Sequence, residues 1–501
     1  MNRIGIIDLG SNTIRLMVFD INDDGSFKLL DELKESARLG KGISKTNRLN
    51  NESMEKAMKI ISVFKDFCNI YNVNKIIAVA TAAVRNSDNG KEFINTLYEK
   101  TGIKFNIIPG KEEAWYDYYS VINTMDINNA FLLDIGGGSM EIIKVKNRKI
   151  KEHISIPHGV VTLTEDFLTE DPPKNEEITK LEEFFKKQFK KFDWLIDKDI
   201  DTLVGIGGTV RTVAKINRRK NQYPINLMHN YEMNPSDVNN IFELIKNKSL
   251  KERKKIPGLS SERSDIILSG LVALKEIMKY AKIAKLKISG NGLREGILYK
   301  NILKHDEILN DVCMYSVYNM MKFYKVDERH AKTIQKYALY LFDKLKPIHN
   351  CDEECRNLLS ISALLHDIGL TVNYYNHNIH SSYIILHNGI NGLTHKSILK
   401  VALISTMHEG NGYEKIISIY KNFLSQEENE KIYKMGLILR IAEGLDISHL
   451  GRVEITSCEI KNKNIILYLK SNNGTTDLEK LSVEKHNDLF HKIFKKNIKV
   501  L

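Results

Sequence analysis

The stretch Leu132-Leu133-Asp134-Ile135-Gly136-Gly137-Gly138-Ser139-Met140-Glu141-Ile142-Ile143 runs from apolar residues into a carboxylate, three glycines and a hydroxyl, then past a second carboxylate into another apolar run. That pattern predicts a strand, a tight turn and a returning strand. Consecutive glycines let backbone N–H groups converge without interference from Cβ atoms, and such a concave array of donors binds phosphate oxygens. Asp134 and Glu141 stand at the two mouths of the turn. Carboxylates beside bound phosphate repel it, so their placement suggests a divalent cation, Mg2+, bridging them directly or through water. Taken alone, the same residues also fit a glycine-rich hairpin with two solvated acids, because short glycine motifs match often by chance.

The layout recurs near the N-terminus. Ile4-Gly5-Ile6-Ile7-Asp8-Leu9-Gly10-Ser11-Asn12-Thr13 again gives an apolar strand, an Asp, small residues and a hydroxyl, and Leu16-Met17-Val18-Phe19 returns. An internal repeat of this kind predicts two similar lobes facing each other across a cleft. A third glycine turn, Leu203-Val204-Gly205-Ile206-Gly207-Gly208-Thr209-Val210, leads from a strand into a helix whose N-terminus suits another anion. On this reading Ser11 and Asn12, Gly136 to Ser139 (Gly136, Gly137, Gly138, Ser139), and Gly208 with Thr209 hold phosphate.

These residues carry a resemblance. Two Asp-containing phosphate loops and the later Gly-Gly-Thr turn resemble the actin, sugar-kinase and heat-shock ATPase superfamily. More narrowly, Asp8 to Asn12, Gly110-Lys111-Glu112-Glu113-Ala114, Asp134 to Glu141, Pro257-Gly258-Leu259 and Gly292-Leu293-Arg294-Glu295-Gly296 together resemble the exopolyphosphatase/guanosine pentaphosphate phosphatase (Ppx/GppA) family. The motifs stand in the family's order over residues 1–300, and that order is more specific than any one of them. The resemblance implies an α/β fold of two actin-like, ribonuclease H-like lobes. It also implies hydrolysis of a terminal phosphoryl group from a phosphoanhydride chain.

Bulk properties frame that reading. The 501 residues allow about three domains: lobe I over 1–125, lobe II over 126–303 and a helical domain over 304–501. The formal net charge of +11 favours a polyanionic partner, although abundant lysine also gives a diffusely basic surface. Five scattered cysteines argue for reduced thiols in a cytosolic protein. The chain opens directly on a strand, so no signal peptide is expected, and no apolar run is long enough to cross a bilayer. A cytoplasmic location without membrane or nucleic-acid partners is therefore expected.

Within lobe I, apolar spacing predicts a helix from Asn51 to Tyr71, and Ile76 to Ala80 reads as a buried strand. Arg85 follows just beyond that strand's carboxyl end, where ligands of open α/β sheets gather, and similar family members use an arginine here to hold phosphate. Glu112 and Glu113 open the next helix; neighbours on a helix point about 100° apart, so only one faces the cleft. The resemblance makes that one Glu113, as general base. In lobe II a helix from Glu176 to Ile196 is expected, with Leu181, Phe184, Phe185, Phe189 and Phe192 on one face.

Beyond residue 304 glycine turns give way to amphipathic stretches. Leu364-Leu365-His366-Asp367-Ile368-Gly369 resembles the HD-domain phosphohydrolase signature, though a lone His-Asp pair is more often structural. Here His330, His380, His408 and Asp446 accompany it, and the order His, His-Asp, His, His, Asp fits a mono- or dinuclear site for Mn, Fe or Zn. Residues Val453 to Leu469 read as a short strand pair, and the Lys495-Lys496-Asn497 tail reads as surface.

The expected activity is an Mg2+-dependent exopolyphosphatase acting on inorganic polyphosphate. Guanosine pentaphosphate (pppGpp) is the alternative substrate, but no base pocket is identifiable in the sequence. A sugar or acid kinase shares the scaffold but needs an acceptor pocket in place of a water-activating Glu. A sensor of polyphosphate or nucleotide has no chemical need of Asp134, Glu141 and Glu113. A homodimer aligning two basic grooves is implied by the resemblance alone.

Overall fold

The computed structural model describes residues 2–410, 412–472 and 474–501. The chain divides into two compact units, Met1–Tyr223 with Met228–Val312, and Pro224–Leu227 with Cys313–Leu501.

The first unit holds two sheets of the same design. Strands β1 (Asn2–Leu9), β2 (Thr13–Ile21), β3 (Phe27–Ser36), β4 (Lys75–Ala80) and β5 (Phe105–Ile107) lie in the order β3-β2-β1-β4-β5. The meander β1-β2-β3 is antiparallel, whereas β4 and β5 join parallel to β1 and to each other. Parallel neighbours need a long crossover, which the helix Asn51–Ile70 supplies. Asn50 caps it by accepting from the Ser53 amide, and Ala57, Ile61, Phe64 and Cys68 are buried along one face.

The second sheet repeats the plan. Strands β6 (Ala130–Ile135), β7 (Met140–Lys146), β8 (Lys149–Ile156), β9 (Thr202–Ile206), β10 (Tyr231–Met233) and β11 (Lys285–Ile288) take the order β10-β11-β9-β6-β7-β8. Read from β8, it is again an antiparallel meander followed by two parallel strands, with β10 added antiparallel at the edge. The central strands β1 and β6 are buried on both faces, which is why Ile4 to Leu9 and Ala130 to Ile135 read as nearly continuous apolar runs. The expected long lobe II helix ends earlier, at Asn175–Phe189, and a 3-10 turn at Asp193–Leu195 follows it. Phe184 and Phe192 only flank the core that Leu181, Phe185 and Phe189 enter.

The second unit is largely helical. Helices Glu328–Lys344, Glu353–Leu365, His377–Asn388, His395–Thr406 and Gln426–Leu445 pack on one another. Its small sheet has three strands rather than the expected pair: β12 (Val453–Ile460), β13 (Asn464–Ser471) and β14 (Asn497–Val500). The terminal strand runs parallel to β13 and buries Ile498 and Val500. The lysine-rich approach hid this alternation, because only two apolar residues of the strand face inward.

Candidate active site

The two strand–turn–strand loops meet in the first unit. A Cβ placed on Gly137 would stand 2.9 Å from Ser11 Cβ, and one on Gly138 would stand 2.8 Å from Ser11 Oγ. Side-chain-free backbone at these positions is what lets the loops abut. A cleft of about 110 Å³ runs between them, lined by Ser11, Asn12, Gly136, Gly137, Gly138 and Ser139. Asn12 Nδ2 is a buried donor without a partner. Such a donor costs free energy unless a ligand accepts from it.

The third turn closes one side. Gly207 has φ +78°, and a Cβ there would fall 2.0 Å from Asp134 Oδ1, so the turn that leaves β9 can pass this close to Asp134 only with glycine. Gly207 also begins the helix Gly207–Lys220, and Gly208 lines the cleft beneath the Arg263 guanidinium. Thr209 faces the other way, its hydroxyl donating to the Ile135 carbonyl at 3.1 Å.

Glu113 reaches the cleft from the first turn of the helix Gly110–Ile122. Arg85 donates from Nη1 to Glu113 Oε2 at 2.9 Å and to the Ile108 carbonyl at 2.9 Å. Arg85 is thus a partner of Glu113, not part of the cleft lining. Burial pushes the Glu113 carboxyl up to about 7, opposed by the Arg85 cation. One helical turn on, Asp117 is fully buried with both carboxylate oxygens unpartnered, and burial raises its pKa well above the usual carboxylate range.

Asp134 and Glu141 are directly paired across β6 and β7. Asp134 lines the cleft, while Glu141 sits behind the wall, accepting from Ser155 Oγ at 2.9 Å. Asp134 Oδ1 and Glu141 Oε2 are buried without hydrogen-bond partners. Asp8 lines the same cleft and Asp117 interacts electrostatically with Asp134 and Glu141, but among the described residues these carboxylates are not in any group of three or more whose ligand atoms converge. Their all-oxygen chemistry is of the kind that suits a hard divalent cation.

Four arginines complete the cleft lining: Arg15, Arg211, Arg263 and Arg294. Arg294 and Arg15 share Glu32 Oε1 at 2.9 and 3.3 Å, and Arg211 is fixed by the carbonyls of Gly207 and Gly290. Burial and mutual repulsion lower Arg15 to about 9 and Arg263 to about 10, so the cluster gains by taking up an anion. Arg294 stands within the Gly292 to Gly296 motif, whereas nothing in the sequence singles out Arg15, Arg211 or Arg263. The arginines lie far apart in the chain, and no local pattern marks them.

In the second unit, His330, His366, Asp367 and His408 converge. His380 is in none of the converging groups among the described residues; His377, the first residue of that helix, stands there instead. The reason is helical phase, since positions three residues apart are rotated by about 60°. Asp446 lies one shell out, accepting from His330 Nδ1 at 2.9 Å, and the inward carboxylate is Glu443, 3.3 Å from His330 Nε2 and 3.0 Å from His366 Nε2. His449 stacks on His330 with ring centroids 3.6 Å apart.

Duplicated sheets whose glycine turns face each other across a cleft of arginines and carboxylates define an actin-like protein built to hold phosphoryl groups. More narrowly, the chain belongs to the Ppx/GppA phosphatase family, which matches residues 17–305, and the family's domain III matches residues 312–490. A Ppx/GppA family member from Aquifex aeolicus is similar in structure, with 30% identity and a TM-score of 0.53 over 61% of this chain and 99% of that one. An exopolyphosphatase from Cytophaga hutchinsonii gives 26% identity and a TM-score of 0.56 over 60% and 98%. No helix among the described residues is long and apolar enough to cross a membrane.

Proposed function

We propose that the protein is an exopolyphosphatase that releases the terminal orthophosphate of inorganic polyphosphate. The observation that carries this reading is the placing of a buried carboxylate, Glu113, on a cleft lined by the glycine turns, Asp8, Asp134 and four arginines. The turns of Ser11–Asn12 and Gly136–Ser139 hold the terminal phosphoryl group by backbone and side-chain donors. Arg15, Arg211, Arg263 and Arg294 offset the charge of the chain behind it. Glu113, steadied by Arg85, takes a proton from water as the water attacks phosphorus in line, and its raised pKa matches a base working near neutrality. Mg2+ held by Asp134, with Glu141 behind it, would supply neutralisation of charge on the transferred oxygens.

A second reading, pppGpp as substrate, is favoured by one specific feature. A neighbouring cavity of about 320 Å³ shares Ser11, Ala82 and Gly138 with the cleft and is lined farther out by Ile43, Pro157, His158 and Asn86. It contains no Arg or Lys side chain, which suits a nucleoside better than a polyanion. Orthophosphate release from long-chain polyphosphate and from pppGpp, compared as kcat/KM, separates the two. Exopolyphosphatase requires the higher value for polyphosphate; the opposite ratio assigns the cavity to guanosine.

A further inference from the structure

Of the four arginines on the cleft, Arg211 hangs from two backbone carbonyls, donating from Nε to Gly207 at 3.0 Å and from Nη1 to Gly290 at 2.7 Å. No hydrogen bond among the described residues occupies Nη2, which leaves that nitrogen for a phosphate oxygen. Burial and the neighbouring Arg294 cation lower the pKa of Arg211, so this guanidinium is a desolvated charge that depends on its fixed acceptors. Gly207 is held by the helix it begins. Gly290 lies outside any regular element, in the turn between β11, which ends at Ile288, and the helix Leu293–Ile302.

What holds Gly290 is His229. The Gly290 amide donates to His229 Nδ1 at 3.1 Å, and on the other side of the ring Nε2 lies 2.8 Å from the Thr124 carbonyl. An amide only donates and a carbonyl only accepts, so the ring carries its proton on Nε2 and offers a lone pair at Nδ1. Both bonds are made by a neutral imidazole in that one tautomer. A Cβ on Gly290 would stand 3.0 Å from His229 Cβ, so the missing side chain lets the turn lie against the histidine.

The histidine is anchored on both sides. Asn230, next in the chain, donates its amide to the Ile288 carbonyl at 2.9 Å, where the antiparallel pairing of β10 with β11 begins. Thr124 is buried just past the helix Gly110–Ile122, its hydroxyl donating to the Ser120 carbonyl at 2.7 Å. That helix carries Glu113 in its first turn. One ring thereby ties the far end of the helix that bears the proposed base to the turn whose carbonyl aims Arg211.

We propose that His229 is a positioning residue for the cleft: its imidazole fixes Gly290, and the Gly290 carbonyl in turn fixes Arg211 against the phosphates behind the terminal one. The inference rests on the cleft reading proposed above and deepens it. His229 is not among the residues that line the cleft, so it acts through Arg211 and touches no reacting atom. Glycine has the freest backbone of any residue, and a Gly290 amide deprived of its acceptor releases the carbonyl on the other side of the same Cα. The loss then falls on the grip on the anionic chain more than on the proton transfer at Glu113.

The test is a double-mutant cycle in full-length protein carrying Glu113→Gln to suppress turnover, with inorganic tripolyphosphate and Mg2+ as the calorimetric probe. His229→Phe keeps a ring and loses both hydrogen bonds, and it is expected to weaken tripolyphosphate binding about tenfold. His229→Gln retains one acceptor and one donor and is expected to cost about threefold or less. In an Arg211→Ala background, His229→Phe is expected to add less than about twofold. An equal loss in both backgrounds marks a merely structural role and overturns the inference. With Glu113 unaltered, the kcat/KM loss of His229→Phe on polyphosphate is expected in KM; a loss confined to kcat overturns the route through Arg211. Imidazole 15N spectra of the native protein, which need no variant to fold, are expected to show His229 as the Nε2–H tautomer at neutral pH. The Nδ1–H tautomer or an imidazolium there overturns the bridge. Absence of any tripolyphosphate binding by the Glu113→Gln protein overturns the cleft reading and this inference with it, whereas binding lost in Arg211→Ala but indifferent to His229→Phe overturns this inference alone.

Discussion

Arg85 Nη1 donates to Glu113 Oε2 across 2.9 Å while the same nitrogen is anchored on the Ile108 carbonyl, so the one carboxylate reaching the cleft from this helix is steered by a fixed cation. The pair sets the proton affinity of Glu113, because burial raises it and Arg85 lowers it.

Activity is therefore expected to need the ionised form of Glu113 and to fall as pH drops below about 7. In Arg85→Met the lowering influence is gone. The acidic limb of the kcat/KM profile should move to higher pH, by about 1 pH unit or more. A profile left in place by that substitution would detach Arg85 from the base.

Asp117 offers a stability prediction. Burial raises its folded pKa well above the ordinary 3.8, so the folded state binds the extra proton. Stability present below the unfolded value is then lost as pH rises from there through the folded value. Asp117→Asn removes that penalty. In Mg2+-free buffer at pH 7.5 its Tm should exceed that of the native protein by about 2 °C or more, with the gain shrinking toward pH 4. Thermal melts across that range check it.

Gly207→Ala combines a left-handed backbone with a Cβ 2.0 Å from Asp134 Oδ1. It is expected to cost about 2 kcal/mol or more of stability and to displace Asp134. Denaturant titration measures the first effect, and a raised Mg2+ requirement for turnover reports the second.

Much of the first unit was legible because its information is local. Each phosphate turn lies within about a dozen residues, and the apolar runs on either side specify central strands directly. The repeat of Asp8-Leu9-Gly10-Ser11 by Asp134-Ile135-Gly136-Gly137 then gave the two-lobed plan. What escaped is information carried by packing. Arg15, Arg211 and Arg263 come together only when three distant segments fold, and Asp117 looks like an ordinary helical acid until its burial is seen. In the second unit the helices were expected but not their rotation. His377 stands in place of His380, and Glu443 in place of Asp446, each three residues from the position first singled out. The strand at Asn497–Val500 was masked by its lysines.

The most direct measurement is orthophosphate release from long-chain polyphosphate with Mg2+, native protein against Glu113→Gln. Release by the native protein, reduced at least about a hundredfold in the variant with its fold intact, is the predicted result. Undiminished release by Glu113→Gln would contradict the account, because the reaction would then run without the carboxylate around which the cleft is built.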